Sequence, residues 1–350
     1  MKMLINVPSL KLLGGVANHY EGLQAFWTKN VKYNTVGKRS NKHGSGKYWL
    51  PWDLLKFVFR LFVFRPDVVL LNPSLGETAL KRDFIFLNLA HFLRFKVIVF
   101  IHGFNWDYVK EIDKKWAVCN LNKSSLIFVL ANAFKVELGT WGVTCPIELT
   151  TTKVNDALLK NFDVELLRTG EVKNILFLSR IERAKGVYEA IDTYSLLKSK
   201  YKYLTFTFVG DGSELETLKQ YVKKQNISDV RFTGALNGDK LKNEFQKADF
   251  FFFTSYYGEG MPTAVLEAMA FGLPIMTRTV GGLCDFFEDG KMGRITESMN
   301  PLEYAQMMGP FLIDTSLTRK VSFYNYAYAQ KYFLASKVAK QMESLIERVL

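Results

Sequence analysis

The chain has 350 residues, 48 % hydrophobic and 23 % charged, which excludes a disordered or fibrous protein and suggests two cores rather than one. Its formal charge of +12 is uneven: residues 1–168 hold 23 Lys and Arg against 13 Asp and Glu, an excess of +10, whereas residues 169–350 hold 23 against 21, an excess of +2. A basic first half predicts an anionic partner, whether nucleic acid, a membrane surface or an acidic substrate.

In chain order, "MLINVPS" reads as a buried strand and "GVANHYEGLQAFWTKN" as a helix, and the start lacks the long apolar segment of a signal peptide. The most apolar region, "LLKFVFRLFVFRPDVVLL", is interrupted by Lys56, Arg60, Arg65 and Asp67 and falls short of the roughly 18 apolar residues of a spanning helix. Strands are then expected at "DVVLLNP", "KVIVFIHG", "SLIFVLA" and "PIELTTT", with helices at "RDFIFLNLAHFLRF" and "NAFKVELGTWG". The polar stretch 163–173, "DVELLRTGEVK", reads as a linker. Beyond it, "NILFLSR", "LTFTFVG", "VRFTG", "FFFFTS", "PIMTR" and "GRIT" read as strands alternating with helical segments, and "ASKVAKQMESLIERVL" reads as a closing helix. Such alternation implies parallel sheets with helices on both faces and ligands at the carboxyl ends of the strands. The expected domains are 1–168 and 169–330, with 331–350 returning to the first. Cys119, Cys145 and Cys284 give neither a disulfide framework nor a zinc pattern and suit a reducing compartment.

The most informative stretch is "FFFFTSYYGEGMPTAVLEAMAFGLPIMTRTVGG", from Phe250 to Gly282. Pro262 suits the first residue of a helix. Gly258 and Gly260 before it allow a ligand close to the backbone. The helix start, with its free N–H groups and dipole, is an anion site suited to phosphate. Glu267 then lies roughly 7.5 Å down the helix axis, where it can accept from two ribose hydroxyls. Glu259, in the loop, can accept from hydroxyls of whatever the phosphates carry. A capping acid and a solvated acid would be the bland account of the pair. In "LFLSRIERAKGVYEAI", Arg180 and Lys185 leave a strand end just before a helix, where a bidentate fork and a point charge suit phosphate. Arg183 between them reads equally well as a surface charge.

Over residues 174–290 the order and spacing of "SRIERAKG", "FVGDG", "VRFTG" and "GEGMPTAVLEAMAFGLPIMTRTVGG" resemble the retaining glycosyltransferases of family four. In the first half, "LLGGVANHYEGL" resembles the glycine loop facing the donor diphosphate, and "FIHGFNWD" the segment supplying a histidine. The resemblance implies the GT-B architecture: α/β, two Rossmann-like domains facing across a cleft, with a C-terminal closing helix. It also implies that Glu267 binds ribose, Glu259 and His102 serve the donor sugar, and Arg180 and Lys185 hold the diphosphate. Gly260, Met261, Pro262, Thr263, Gly14, Gly15, Gly210 and Asp211 complete the donor contacts. His19 is a candidate on the acceptor side. The place where many relatives carry Asn-Gly reads "PIELTTTKVNDALL", which puts any contact at Thr150–Thr152 in doubt. Ser179 stands where many relatives have glycine. His43 reads as a loop residue and His91 as a packed one.

The expected activity is transfer of a hexose, with UDP-sugar favoured over GDP-sugar, to a saccharide or lipid-linked acceptor in cell-surface glycan synthesis. No Asp-x-Asp at a strand end and no His/Cys cluster occurs, so neither metal nor other cofactor is expected. The implied setting is cytoplasmic, peripheral on an anionic membrane surface. A sugar-nucleotide epimerase or a non-catalytic nucleotide-sugar-binding subunit shares the architecture. The glutamate spacing speaks against the first, and the presence of Glu259, Glu267, Arg180 and Lys185 against the second. A nicotinamide oxidoreductase would need G-x-G-x-x-G, which "LLGGVANHY" lacks. Nucleic-acid binding is disfavoured because the aromatics fall at core spacing.

Overall fold

The computed structural model describes residues 1–12, 14–37, 39 and 49–350; His43 lies outside them. The chain forms two compact units: Met1–Lys153 with Gly258–Met261 and Ala335–Leu350, and Val154–Tyr257 with Pro262–Leu334.

The first unit holds six parallel strands: β1 (Lys2–Val7), β2 (Asn30–Thr35), β3 (Val68–Leu71), β4 (Lys96–Ile101), β5 (Leu126–Val129) and β6 (Ile147–Leu149), in spatial order β2-β1-β3-β4-β5-β6. β3 and β5 are buried along their whole length, as expected where helices cover both faces of a parallel sheet. β2, at the edge, alternates exposed and sheltered residues. The final helix, Ala335–Glu347, puts Ala335, Val338, Ala339, Met342 and Ile346 into this unit's core. It is tied down through Glu343, whose carboxylate accepts from Thr28 N–H at 2.8 Å and Thr28 Oγ1 at 2.6 Å.

The second unit also has six parallel strands: β7 (Asn174–Leu178), β8 (Thr205–Val209), β9 (Val230–Phe232), β10 (Phe250–Phe253), β11 (Ile275–Arg278) and β12 (Gly293–Thr296), ordered β12-β11-β10-β7-β8-β9. The four phenylalanines of β10 are all buried, two toward each face of the sheet. Strand order reverses between β7 and β10, whose register pairs Phe250 with Ile175 and Phe251 with Leu176. In such sheets the loops at the carboxyl ends of the reversing strands form the ligand crevice.

The stretch 163–173 is not a free linker. Val164–Leu167 makes a helical turn, and Arg168 after it is buried. Its guanidinium donates to the carbonyls of Phe271 (2.7 Å), Ala248 (2.7 Å) and Phe245 (2.8 Å), which end helices Thr263–Ala270 and Gly238–Lys247. Burial pushes Arg168 down to about 10. His91, expected to pack, is exposed near the end of its helix, Glu77–Phe92. Among the described residues no helix is long and apolar enough to cross a membrane.

Candidate active site

In the second unit the β7 and β10 loops are laced together. Ala184 O accepts from Tyr256 N–H at 3.0 Å and Tyr257 N–H at 3.1 Å, and Thr254 Oγ1 donates to Gly186 O at 2.8 Å. Gly186 has φ +72°, and a Cβ there would come within 2.4 Å of Thr254 O, so this closeness requires glycine. The lacing sets Lys185, itself buried, with its ammonium 4.3 Å from the centre of the Tyr257 ring; the Arg180 guanidinium lies 5.7 Å from the same ring. Arg180 is exposed and donates to Glu182 at 2.7 Å. Two cations therefore share one aromatic platform at the strand-order reversal. Tyr257 was not foreseen from sequence, although the "SYYGEG" loop that carries it was.

The helix after β10 starts at Thr263, with Pro262 as its N-cap rather than its first turn, and no side chain caps it. Glu267 is the fifth residue of that helix and is half-buried. At the end of β8, Gly210 has φ +145°, and a Cβ there would lie 1.8 Å from Ser179 O. The Asp211 carbonyl accepts from Ile181 N–H at 3.0 Å, while its carboxylate accepts from Gly212 N–H at 2.8 Å. The second unit thus brings Arg180, Lys185, Gly210 and Asp211 to one edge of the sheet, with Pro262, Thr263 and Glu267 following from the neighbouring strand.

In the first unit, strand order reverses between β1 and β3, and a chain of polar side chains lies there. Asn72, just past β3, donates to Asn6 O at 2.8 Å and accepts from Tyr20 OH at 2.6 Å. The same Asn72 Oδ1 lies 3.0 Å from His102 Nε2. Because the Asn72 amide nitrogen is already donating to Asn6, its oxygen faces His102, so Nε2 carries the proton and Nδ1 is left as an acceptor. The His102 ring packs on Phe100 with centroids 3.8 Å apart, and burial pushes its pKa down to about 3, so the ring is neutral. His19 is fully buried, 5.3 Å from the His102 ring, with neither ring nitrogen hydrogen-bonded. Burial, then the neighbouring His102 and Lys153, hold it well below its usual value.

Lys153, just past β6, is buried with its ammonium 3.1 Å from Asn18 Oδ1. Its stem lies where a Cβ on Gly22 would sit, so Gly22 is small to admit it. Sequence reading missed Lys153, Asn72 and Tyr20 because the contacts that join them are made only in the fold. Gly14 and Gly15 begin helix Gly15–Leu23, and a Cβ at either would meet nothing within 4 Å. Gly14 is in extended backbone, so neither conformation nor packing demands glycine there. Gly258–Met261 belongs to this unit: a Cβ on Gly260 would lie 2.6 Å from His102 O, Met261 packs on the core, and Glu259 is half-buried. Among the described residues no group of three or more His, Cys, Asp or Glu is placed to hold a metal.

Comparison with known proteins bears on the family and the fold. Residues 160–330 match the family described as Glycosyl transferases group 1. The chain is 31 % identical over 139 residues to the glycogen synthase of Mycobacterium tuberculosis, covering 39 % of this chain and 33 % of that one. It is 28 % identical over 182 residues to a putative teichuronic acid biosynthesis glycosyltransferase of Bacillus subtilis, covering 50 % and 42 %. The chain therefore spans a third to under half the length of these two relatives. Among solved structures, Alr3699/HepE of Anabaena, determined with UDP and glucose, superposes with a TM-score of 0.74 over 99 % of both chains at 18 % identity. The fold is the GT-B glycosyltransferase fold, and residues 160–330 are a glycosyl transferases group 1 domain.

Proposed function

We propose that the protein is a retaining glycosyltransferase that moves a hexose from a nucleoside diphosphate sugar to a saccharide or lipid-linked saccharide acceptor in cell-surface glycan synthesis. The observation that carries this reading is the strand-order reversal in the second unit. There Arg180 and Lys185 on the β7 loop accompany an uncapped helix start after β10. Uridine is favoured as the base because a structural neighbour was determined with UDP and glucose.

Breaking the bond between the anomeric carbon and the phosphate oxygen leaves an oxocarbenium-like sugar and a diphosphate with one more negative charge. Arg180, Lys185 and the N–H groups at Thr263 face that charge without reorganising as it develops. The acceptor hydroxyl attacks from the face the diphosphate leaves. Its proton passes to the departing phosphate oxygen, and the configuration is retained. Glu267 accepts from the ribose hydroxyls and Glu259 from the donor sugar. His102, neutral with its proton on Nε2, offers Nδ1 to a sugar hydroxyl. Gly14 and Gly15 admit the diphosphate, and Gly210 and Asp211 the base side.

In this reading fixed cations replace a metal, so activity is expected to survive a chelator; loss reversed by magnesium or manganese would overturn that part. The central test compares two glutamate variants. Glu267→Ala should weaken binding of the free nucleoside diphosphate, whereas Glu259→Ala should lower turnover of the intact donor and leave diphosphate affinity unchanged. Equal loss of diphosphate affinity in both would reject these roles. A screen for slow hydrolysis across nucleotide sugars without acceptor would name the donor.

A further inference from the structure

Helix Leu50–Phe64 in the first unit carries large apolar side chains on two faces. On the inner face Phe57, Leu61 and Phe64 enter the core. On the outer face Trp52, Leu55, Phe59, Phe62 and Val63 are each between 58 and 67 % exposed. Positions 52, 55, 59, 62 and 63 follow helical spacing and form one stripe. A helix apolar all round is ordinarily enclosed. Among the described residues this one is enclosed on one side only, and a contiguous exposed apolar stripe marks an interaction surface.

Among the described residues the charges nearest the stripe are mainly cationic; Asp67, exposed beyond the helix end, accepts from Lys2 N–H at 2.7 Å. Lys56 lies on the same helix, and Arg65 sits just past its end in left-handed backbone. The helix's one acid, Asp53, is buried and paired with Arg39, so the outer face presents no carboxylate. A two-fold contact through this face would set two cationic rims against each other, which disfavours a second copy of the chain. An anionic lipid surface meets both features, since acyl chains take the stripe and lipid phosphates take the rim. Trp49 and Trp52, at the helix start, are residues suited to the headgroup boundary.

We propose that the outer face of helix Leu50–Phe64 docks in the plane of an anionic bilayer, inserting Trp52, Leu55, Phe59 and Phe62 into the headgroup boundary. The inference stands on this helix alone and holds whether or not the protein transfers a sugar.

The test is flotation of the full chain with vesicles of phosphatidylcholine, alone or with one third phosphatidylglycerol. The wild type should float with the anionic vesicles and bind the neutral ones at least about tenfold more weakly, with binding falling steeply between low and physiological salt. Phe59→Ser/Phe62→Ser should lose about tenfold or more of the binding. Its melting temperature should stay at the wild-type value, because both side chains point outward. Lys56→Gln should weaken anionic binding and leave neutral binding unchanged. Equal binding to both vesicle types, or wild-type binding by the double serine variant, would overturn the proposal. So would self-association of the wild type that the double variant abolishes, with neither vesicle bound, because the face would then belong to a second copy.

Discussion

The Lys185 ammonium stands 4.3 Å from the centre of the Tyr257 ring, on a loop held to the end of β10 by backbone hydrogen bonds. Removing either cation at this edge should cost transition-state stabilisation rather than folding. Lys185→Ala and Arg180→Ala should each lower kcat about 10²–10³-fold. Tyr257→Ala should cost about tenfold, while Tyr257→Phe, which keeps the ring face, should stay near wild type. Steady-state kinetics decides it; a Phe variant as impaired as the Ala variant would assign the role to the hydroxyl.

Two pairs of glycines should behave in opposite ways. Ala at Gly14 or Gly15 meets open space, so stability should change by no more than about 0.5 kcal/mol. On the proposed role of Gly14 and Gly15 in admitting the diphosphate, nucleotide affinity should nonetheless fall. Gly210→Ala forces a positive φ and a collision with Ser179 O, and Gly186→Ala collides with Thr254 O. Both should lower stability by about 1–3 kcal/mol. Paired melting curves and calorimetric titrations distinguish the classes.

Acid should destabilise the first unit through its two buried histidines. His102 is pushed down to about 3 and His19 lies well below its usual value, so below about pH 6.5 the unfolded chain binds more protons than the folded one. Stability therefore falls as pH drops from about 6.5 toward 3, by up to about 1.4 kcal/mol per pH unit for one such group. The rings are 5.3 Å apart, so their contributions do not simply add. His102→Gln should flatten the dependence of denaturation midpoint on pH; an unchanged slope would place the proton uptake elsewhere.

Arg168→Leu removes the donor that three helix-terminal carbonyls share. Each orphaned carbonyl costs about 1–3 kcal/mol, so chemical denaturation should show a loss of about 3 kcal/mol or more. A loss under about 1 kcal/mol would mean that water replaces the guanidinium.

The strands were legible wherever both faces of a parallel sheet are covered, because such strands are apolar throughout, as β3, β5 and β10 are. β2 was not, since an edge strand of alternating exposure reads as polar loop. Helix Thr315–Tyr332 also escaped notice. Its buried residues Thr318, Val321, Ser322, Asn325 and Ala329 have helical spacing but are mostly small or polar, so no apolar stripe marks it. Asn325 instead satisfies the carbonyls of Leu273 and Met292. Arg168 looked like linker for a related reason: a charge is read as solvated until its carbonyl partners are known. At the candidate site, residues that follow strand ends in short motifs were visible in the sequence. Tyr20, Asn72 and Lys153 were not, because they meet through the fold and carry no local signature.

The anchoring of Glu343 to Thr28 spans 315 positions of sequence. The ribosome finishes the second unit before it makes helix Ala335–Glu347, which supplies five residues of the first unit's core. The first-made half therefore waits with an open hydrophobic flank while the later-made half can close on its own residues, inverting the usual order of co-translational folding. Until helix Ala335–Glu347 is made, that flank lacks the five apolar side chains that cover it in the finished fold.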